Sequence, residues 1–463
     1  MSFINACKGC IEKQRENDSL RQENESLKAR VRYLEDKVNK LEQGSFGSST
    51  PSSLIPFKEN TKEEERKLRG CKKGHKGYGR RSIEDEEADR IEEVRVEIDT
   101  CPECGCKLVS KGIDDRTVID MGEVKAEKIK YKIEKKYCPM CKKVMRGKVK
   151  GVLEKSLYGN QLIAIALWLY YSQRMPLNRV CDVLGISSSA LVSILKGVDD
   201  LFSGVDDKLI KELRRARVIH ADETGWRIDG KNGYMWLFGS KDVSIYRVEG
   251  TRSGRIVKEV LGEKKLKGVL VVDRYGGYNK SPCELQYCYE HLKREVEGLE
   301  EEFPDDEKVK VFVDNMRHLL IKAMQLRKEK ISDEKYYKMA KGIKRMIEIE
   351  VNREVENVGI KGIQEIFRKN RDRLYKWVEN REVPADNNES EREIRLGVIS
   401  RKVSFGSQSV EGAKIRGRMM SIIYTMKKRG IDPVKRIKYA LDELAKNRNK
   451  DPYKLLFHSK PPD

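Results

Sequence analysis

Two apolar runs that each end in an aspartate most constrain what this chain can fold into. Residues 217–222 (RVIHAD) and 268–273 (GVLVVD) are short and rich in β-branched residues, as expected of buried strands. Between them, residues 234–239 and 243–248 have a strand pattern, and residues 253–261 have a helical one. The spacing therefore predicts strands in the order β-β-β-α-β, with an aspartate at the end of the first and the fourth.

A further helix is predicted from about residue 282 to 299. The complete order β-β-β-α-β-α matches the RNase H-like fold, in which strands one and four lie side by side. Asp222 and Asp273 are then expected to share one metal site. Residues 300–385 are rich in Lys and Glu with a helical period, which predicts a helical insertion. Helical signals resume at Asp386, and the fold class is a multidomain α+β protein.

A third acid is expected from the helix that begins near Asp386. With Asp386 as N-cap, Glu389 three residues later takes a capping-box role, which leaves Glu391 to face the two aspartates. Glu389 and Glu393 are the alternative choices. Two aspartates at strand ends and a glutamate on a later helix can hold two divalent cations for phosphoryl transfer.

Composition favours a polyanionic partner. The 463 residues are 37% charged and carry a net charge of +21, although a basic protein unrelated to nucleic acid has the same balance. No apolar run reaches the roughly 18–20 residues that span a bilayer, and the N-terminus lacks a secretory pattern. We therefore expect a cytoplasmic, nucleoid-associated protein without a membrane partner. In that compartment the eleven cysteines are expected to be metal ligands and buried thiols.

The N-terminus has the pattern of a leucine zipper. Leucines recur every seven residues at position d, and the a positions hold asparagine or valine, as in parallel two-stranded coiled coils. Four g–e pairs across such a dimer are opposite in charge, which predicts a homodimer through residues 17–42; a lone solvated amphipathic helix is the alternative. The d positions are Leu20, Leu27, Leu34 and Leu41, and the a positions are Asn17, Asn24, Val31 and Val38.

Two Cys-x-x-Cys pairs indicate a structural zinc site. Cys101 and Cys104 form the first pair, and Cys138 and Cys141 form the second, which together suit tetrahedral Zn²⁺. Residues 116–120 and 128–134 alternate as strands between them, so a zinc ribbon is predicted. Cys106 is expected to be a buried thiol. Cys7 and Cys10 form a pair without a mate and are expected to be incidental thiols, although two copies in a dimer could share a metal.

A helical unit follows the cysteine pairs. Residues 158–171, 177–184 and 188–195 have helical patterns, and Gly185 lies in the tight turn between the last two. Two short helices around a glycine turn are typical of helix-turn-helix DNA binding, but helix hairpins that merely pack are also common. The basic, glycine-rich residues 69–81 are expected to form an arm along phosphates or a solvated loop.

These motifs together resemble transposases of the insertion sequence 66 family. The resemblance is carried by residues 74–77 (GHKG), 220–224 (HADET), 273–278 (DRYGGY), 386–392 (DNNESER) and 405–407 (FGS). It also includes Cys288 and His291 of a Cys-x-x-His motif, with Tyr289 where the family usually has Trp. The resemblance implies an RNase H-like core with a DDE triad at Asp222, Asp273 and Glu391.

The resemblance also implies a function. The expected protein binds double-stranded DNA at the terminal inverted repeats of its element and at the target. It cleaves and joins strands with two Mg²⁺ (or Mn²⁺), and some family members use accessory proteins. Arg392, Arg395, Arg401 and Lys402 follow the third acid and are expected to neutralise phosphates or to be solvated helix charges. Two rival functions are an RNase H-like nuclease without strand transfer and a DNA-binding regulator without catalysis. The roles of Cys288 and His291 are left open.

The predicted organisation has eight parts. They are the zipper (1–43), a flexible linker (44–69), the basic arm with the zinc domain (70–150), the helical DNA-binding unit (151–205), the first part of the core (206–299), the helical insertion (300–385), the second part of the core (386–430) and a helical tail (431–463).

Overall fold

The computed structural model describes nine positions between Leu20 and Arg32, then Cys106, Lys107 and residues 126–138, 143–146, 149–154 and 156–458. The nine N-terminal positions are helical, and three of their apolar side chains, those of Leu20, Leu27 and Val31, are more than half exposed in the single chain. The remaining zipper positions and Cys7, Cys10, Cys101, Cys104 and Cys141 lie outside the described residues.

Part of the predicted zinc ribbon is described. Strands β1 (Lys135–Cys138) and β2 (Lys143–Arg146) pair antiparallel, and Cys138 is the last residue of β1. The prediction of a strand over residues 128–134 is wrong, because this stretch has no regular structure and its apolar side chains are exposed. Cys106, expected to be a buried thiol, is exposed.

Four helices lie between residue 160 and the main sheet. They are α1 (Asn160–Leu167), which continues as a π-helical turn (Trp168–Ser172), α2 (Leu177–Leu184), α3 (Ser188–Leu201) and α4 (Val205–Leu213). Gly185 ends α2 in the left-handed region with φ 62°, and Ser187 caps α3 by accepting a hydrogen bond from the Ala190 N–H. Helices α2 and α3 meet at 102°, within the range of helix-turn-helix motifs.

The main sheet has five strands in the order β5-β4-β3-β6-β7. The strands are β3 (Val218–Ile228), β4 (Lys231–Gly239), β5 (Ser244–Glu249), β6 (Val269–Val272) and β7 (Glu284–Tyr287), with α5 (Arg255–Leu261) between β5 and β6. Strands β3, β4 and β5 are antiparallel, and β3, β6 and β7 are parallel. This mixed sheet with helices around it is consistent with the RNase H-like core expected from the sequence.

Two sequence predictions in this region need correction. Strand β3 does not end at Asp222 but continues to Ile228, because residues 223–228 pair with β4 as a long hairpin. The helix predicted from residue 282 is instead strand β7, and the helix α6 (Tyr289–Glu302) begins only after it. The sheet therefore has one more parallel strand than the sequence suggested.

Residues 303–384 contain only helical elements, which pack mainly on α6 and on one another. They are α7 (Glu307–Leu326), α8 (Asp333–Asn352), α9 (Val358–Lys369), a 3₁₀ turn (Arg371–Arg373) and α10 (Lys376–Glu379). The insertion is joined to the core by buried aromatic contacts, since the Trp377 Nε1–H donates to the Tyr289 hydroxyl at 2.9 Å.

Four helices complete the chain: α11 (Asn388–Ser404), α12 (Val410–Lys428), α13 (Pro433–Lys446) and α14 (Pro452–Phe457). Helix α11 packs on β3 and β4, and α12 packs on β5, with its Met and Ile side chains in the core. Helix α13 packs on α1.

In the described part of the chain no single helix is long and apolar enough to cross a membrane; α2 and α3 reach that length only when counted together across their bend.

Candidate active site

Asp222 and Asp273 lie at the same level on neighbouring strands. In the parallel pairing of β3 with β6, Val218 is opposite Val269 and His220 is opposite Val271. Continuing this register places Asp222 opposite Asp273, directly after β6 ends. Adjacent strands are about 4.8 Å apart and residues two apart share a face, so both carboxylates point to the same side of the sheet.

Cys288 extends this row to a third strand. Val272 is opposite Tyr287 in the pairing of β6 with β7, and the Cys288 N–H donates to the Val272 carbonyl at 2.8 Å. Asp222, Asp273 and Cys288 therefore stand side by side across three parallel strands, at the level where β6 and β7 end. The sequence did not reveal this, because β7 was taken for part of a helix.

Asn387 fixes the start of α11 against this row. Its side-chain Nδ2–H donates to the Ala221 carbonyl at 2.8 Å, and its backbone N–H donates to the Cys288 Sγ at 3.2 Å. Because the amide nitrogen is the donor, its Oδ1 accepts from the buried His220 Nδ1–H at 2.9 Å. One buried side chain thus joins β3, the end of β7 and the helix that carries the candidate glutamates.

The expected capping box is absent. Helix α11 begins at Asn388, its N-cap Asn387 makes no side-chain cap hydrogen bond, and Asp386 accepts a hydrogen bond from the Asn388 N–H. Glu389 instead lies near the buried histidine, with its Oε2 3.5 Å from His220 Nε2. The prediction of a capping role for Glu389 is therefore wrong.

The other two glutamates of α11 point in different directions. Glu393 accepts hydrogen bonds from the Ser244 hydroxyl and lies 2.8 Å from the Lys428 Nζ, so its charge is compensated within the core. Glu391 lies at the row of strand ends, where its carboxylate raises the pKa of Asp222. Of the three, Glu391 is the one whose charge acts on Asp222.

The site brings several negatively charged groups together where solvent is partly excluded. Burial, then the neighbouring Glu223, Asp273 and Glu391, raise the pKa of Asp222 from 3.8 to about 8, although the Glu223 N–H donates to its Oδ1. Neighbouring carboxylates repel one another unless protons or cations neutralise them. A site of this charge and donor chemistry suits hard divalent cations such as Mg²⁺.

One carboxylate oxygen of Glu391 is available as a metal ligand. Its buried Oε1 and the buried Nδ1 of His291 are 3.8 Å apart, and neither has a hydrogen-bond partner within the described structure. Cys288, His291 and Glu391 bring their ligand atoms within 4.8 Å of one another, a spacing that can hold one metal ion. Burial raises the pKa of the Cys288 thiol to about 12, against the opposing effect of backbone N–H donors from Asn387, His291 and Glu290.

Glu223, the acid next to Asp222, is a fourth buried carboxylate. It accepts hydrogen bonds from the Tyr278 hydroxyl and from the Arg252 guanidinium at 2.9 Å through Nε. The guanidinium of Arg252 in turn lies 4.0 Å from the ring centroid of Tyr275, in the loop after Asp273. These partners compensate the charge of Glu223. Glu223 therefore contributes to the electrostatic field at the site and supports the loop that follows Asp273.

One basic residue expected at phosphates has another role. The Arg401 guanidinium is partly buried and donates to the Gly225 carbonyl, which ties the end of α11 to β3. Arg392, Arg395 and Lys402 are exposed.

Comparison with known families identifies the family of this chain. The family model described as "Transposase IS66 family" matches residues 155–415, more than half of the chain, and the match includes the three acids, Cys288 and His291. A search of curated proteins finds no match. The chain belongs to the IS66 family of transposases, as its sequence motifs predicted.

Proposed function

We propose that this protein is a DDE-type DNA transposase that binds the terminal inverted repeats of its insertion sequence and catalyses strand cleavage and strand transfer. The observation that carries the proposal is the convergence of Asp222, Asp273 and Glu391 at one edge of the sheet. Burial and the neighbouring Glu223 raise the pKa of Asp222 most, and the charges of Asp273 and Glu391 add to that shift. Family membership already implies a DNA-processing enzyme and the use of divalent metal.

The donor set fits two Mg²⁺ or Mn²⁺ ions. Asp222 and Asp273 are the ligands on rigid strands, and Glu391 is the ligand on a helix, with its buried Oε1 unpartnered among the described residues. Bound ions would supply Lewis acidity, activating a water or a 3′-hydroxyl and stabilising the leaving oxygen. The chain's own part is to hold these carboxylates in place and to exclude competing partners for them.

DNA recognition is assigned to the helical unit. The exposed side of α3 carries Ser188, Ser189, Ser193 and Lys196, which are small or basic and suit contact with a groove. Helices α2 and α3 meet at 102°, and at the first turn of α3 the Cys181 thiol of α2 donates to the Ser188 hydroxyl at 3.9 Å. Dimerisation through residues 17–42 would pair two element ends in one assembly.

Substitution of each acid by its amide tests the active site. Asp222→Asn, Asp273→Asn and Glu391→Gln are each expected to reduce Mg²⁺-dependent cleavage of element-end DNA about a hundredfold or more, since each removes a ligand charge. DNA binding measured with Ca²⁺ in place of Mg²⁺ should be retained. The readout is cleavage and joining of labelled end DNA on a sequencing gel.

Glu389→Gln is the matched control, because Glu389 is half a helical turn away and contacts His220. It should keep activity within about threefold. Loss of activity in Glu389→Gln with full activity in Glu391→Gln would overturn the assignment of the third acid. Hydrolysed ends without any joined product would favour a nuclease over a transposase.

A further inference from the structure

Phe405, at the far end of α11, is unusual in two respects. Its φ is 58°, in the left-handed region that bulky L-residues avoid, and its side chain is 81% exposed. The conformation is therefore unfavourable, and the phenyl ring gains no burial that would offset it. Strain of this kind persists only where the surrounding structure imposes it, and it is commonest at functional sites.

The backbone on both sides of Phe405 is firmly held. The Phe405 N–H donates to the Arg401 carbonyl at 2.8 Å, and the Ser407 N–H donates to the Arg227 carbonyl at 2.8 Å. The Trp226 Nε1–H donates to the Ser407 hydroxyl at 3.1 Å. At Gly406, with φ 119°, a Cβ would lie 2.4 Å from the Arg227 carbonyl oxygen, so the loop lies directly against β3. The phenyl ring is thus presented to solvent by a rigid frame.

A basic stripe connects Phe405 with the active site. Arg392, Arg395 and Lys402 are exposed on α11, at spacings that place them along one side of the helix with Glu391 at its edge. Within the described residues none of the three forms an ion pair. Apolar Ile399 and Val403 lie between them, 39% and 40% exposed. A line of unpaired cations that starts at a phosphoryl-transfer site is complementary to a nucleic-acid backbone.

The distance along this stripe can be expressed in nucleotides. Fourteen residues separate Glu391 from Phe405, which at a rise of 1.5 Å per residue is roughly 21 Å. At 3.4 Å per base step this corresponds to about six base pairs.

We propose that Phe405 is a stacking platform for an unpaired nucleobase of the DNA that lies along α11, about six nucleotides from the phosphate at Glu391. Aromatic side chains stack on bases irrespective of sequence, and distorted DNA ends offer bases that have left the helix. The site would take single-stranded or unpaired DNA rather than intact duplex. It rests on the proposed function only in that DNA is the ligand.

Equilibrium binding to two mixed-sequence DNA probes tests this, one fully paired and one with a short unpaired bubble, with Ca²⁺ in place of Mg²⁺. Phe405→Asn should weaken binding of the bubble DNA about tenfold and leave the slope of affinity against salt unchanged, since stacking is lost and no phosphate contact is. Phe405→Trp should bind like the parent. Arg395→Ala should instead lower the slope of affinity against salt concentration.

Stability separates a functional role from a structural one. Asn tolerates the left-handed conformation, so Phe405→Asn should melt a few degrees higher than the parent while binding DNA less well. Val410→Asn is the matched control, because Val410 is a nearby apolar side chain, 58% exposed, that lies outside the stripe. It should leave both affinities unchanged.

Three results would overturn the inference. The first is unchanged binding of the bubble DNA by Phe405→Asn, and the second is an equal loss of affinity in Val410→Asn. The third is a change in oligomeric mass that accounts for the lost affinity, which would mean that a second copy of the chain covers Phe405. Because binding is measured without cleavage, a protein that never cuts DNA can still support the stacking site. Conversely, if the protein is an active transposase but its DNA binding does not depend on Phe405, only the stacking site is contradicted and the proposed function stands.

Discussion

Asp222 is the residue at which the electrostatics of the site are most concentrated. Its carboxyl is largely buried, faces other acids and has a pKa of about 8 without a cation. At neutral pH the folded protein therefore holds a proton on a group that would be ionised in the unfolded chain. Proton release and cation binding at this residue are coupled, since both neutralise the same carboxylate.

This coupling predicts how stability changes with pH in metal-free protein. The folded-state pKa of Asp222 is above its ordinary 3.8, so its stabilising contribution is complete below that value and is lost as pH rises towards about 8. Asp222→Asn should therefore be more stable than the parent at about pH 8 by roughly 1–2 kcal/mol, a few degrees in Tm, and the difference should shrink towards pH 4. Thermal unfolding in EDTA measures this, and a variant that is less stable than the parent at pH 8 would contradict it.

The sequence predicted the three acids because each has a local signature. Asp222 and Asp273 follow apolar strand residues, and Glu391 lies in a recognisable motif. It could not group Glu391 with Cys288 and His291, since about a hundred residues separate them and only the tertiary packing of α11 brings them together. The sequence also could not show that the Glu393 carboxylate forms an ion pair with Lys428.

At the scale of elements, the start of α11 is placed by Asn387 rather than by a helix cap. Its side chain and backbone reach Ala221, His220 and the Cys288 sulfur, so three chain segments share one polar junction. Helix α11 can shift only if these buried hydrogen bonds break. The position of Glu391, one turn later, therefore depends on this junction.

Asn387→Ala is expected to destabilise the fold by about 2–3 kcal/mol, because the Ala221 carbonyl and the His220 Nδ1–H lose their partner in a buried place. Cleavage should fall as well, since Glu391 is no longer held in place. Asn388→Ala, one residue later, removes a side chain that makes no hydrogen bond within the described residues, and should change stability by less than about 0.5 kcal/mol. Chemical unfolding and the cleavage assay together check this; equal effects of the two substitutions would show that the junction is unimportant.

The order of the elements was predictable, but two boundaries were not. Strand β7 has only four residues, too few for periodicity to distinguish it from the helix that follows. The capping box suggested by Asp386 and Glu389 failed because tertiary hydrogen bonds of Asn387 took over the helix start. In both places a non-local contact overrode a correct local pattern.

At the scale of the whole molecule, ion pairs fasten the helical unit to the core. Asp199 of α3, whose side chain is 9% exposed, is paired with Arg418 of α12, and Asp206 of α4 is paired with Arg247 of β5. An exposed pair, Lys196 with Glu411, also links α3 with α12. The proposed DNA-reading helix is thus fixed relative to the catalytic sheet.

Arg418→Met should destabilise the protein by about 2–4 kcal/mol, because it leaves Asp199 charged and buried without its partner. Lys196→Met removes the exposed pair between the same two helices and should cause no measurable loss of stability, because solvent screens that pair. Urea unfolding measures both. If the two substitutions cost the same, the buried pair is not what fastens α3 to α12; adding Asp199→Asn to Arg418→Met should restore most of the loss.

The packing of α13 against α1 has a consequence for how the protein is made. The Asn160 side chain donates to Asp442, and Lys208 of α4 pairs with Asp451, so the last segments of the chain complete the helical unit that is synthesised much earlier. A ribosome-bound chain that still lacks these segments presents a helical unit with part of its apolar surface uncovered. Competence to recognise DNA is then expected to appear only after residues 433–457 have been synthesised, which would delay binding until α11, with Glu391, is also present.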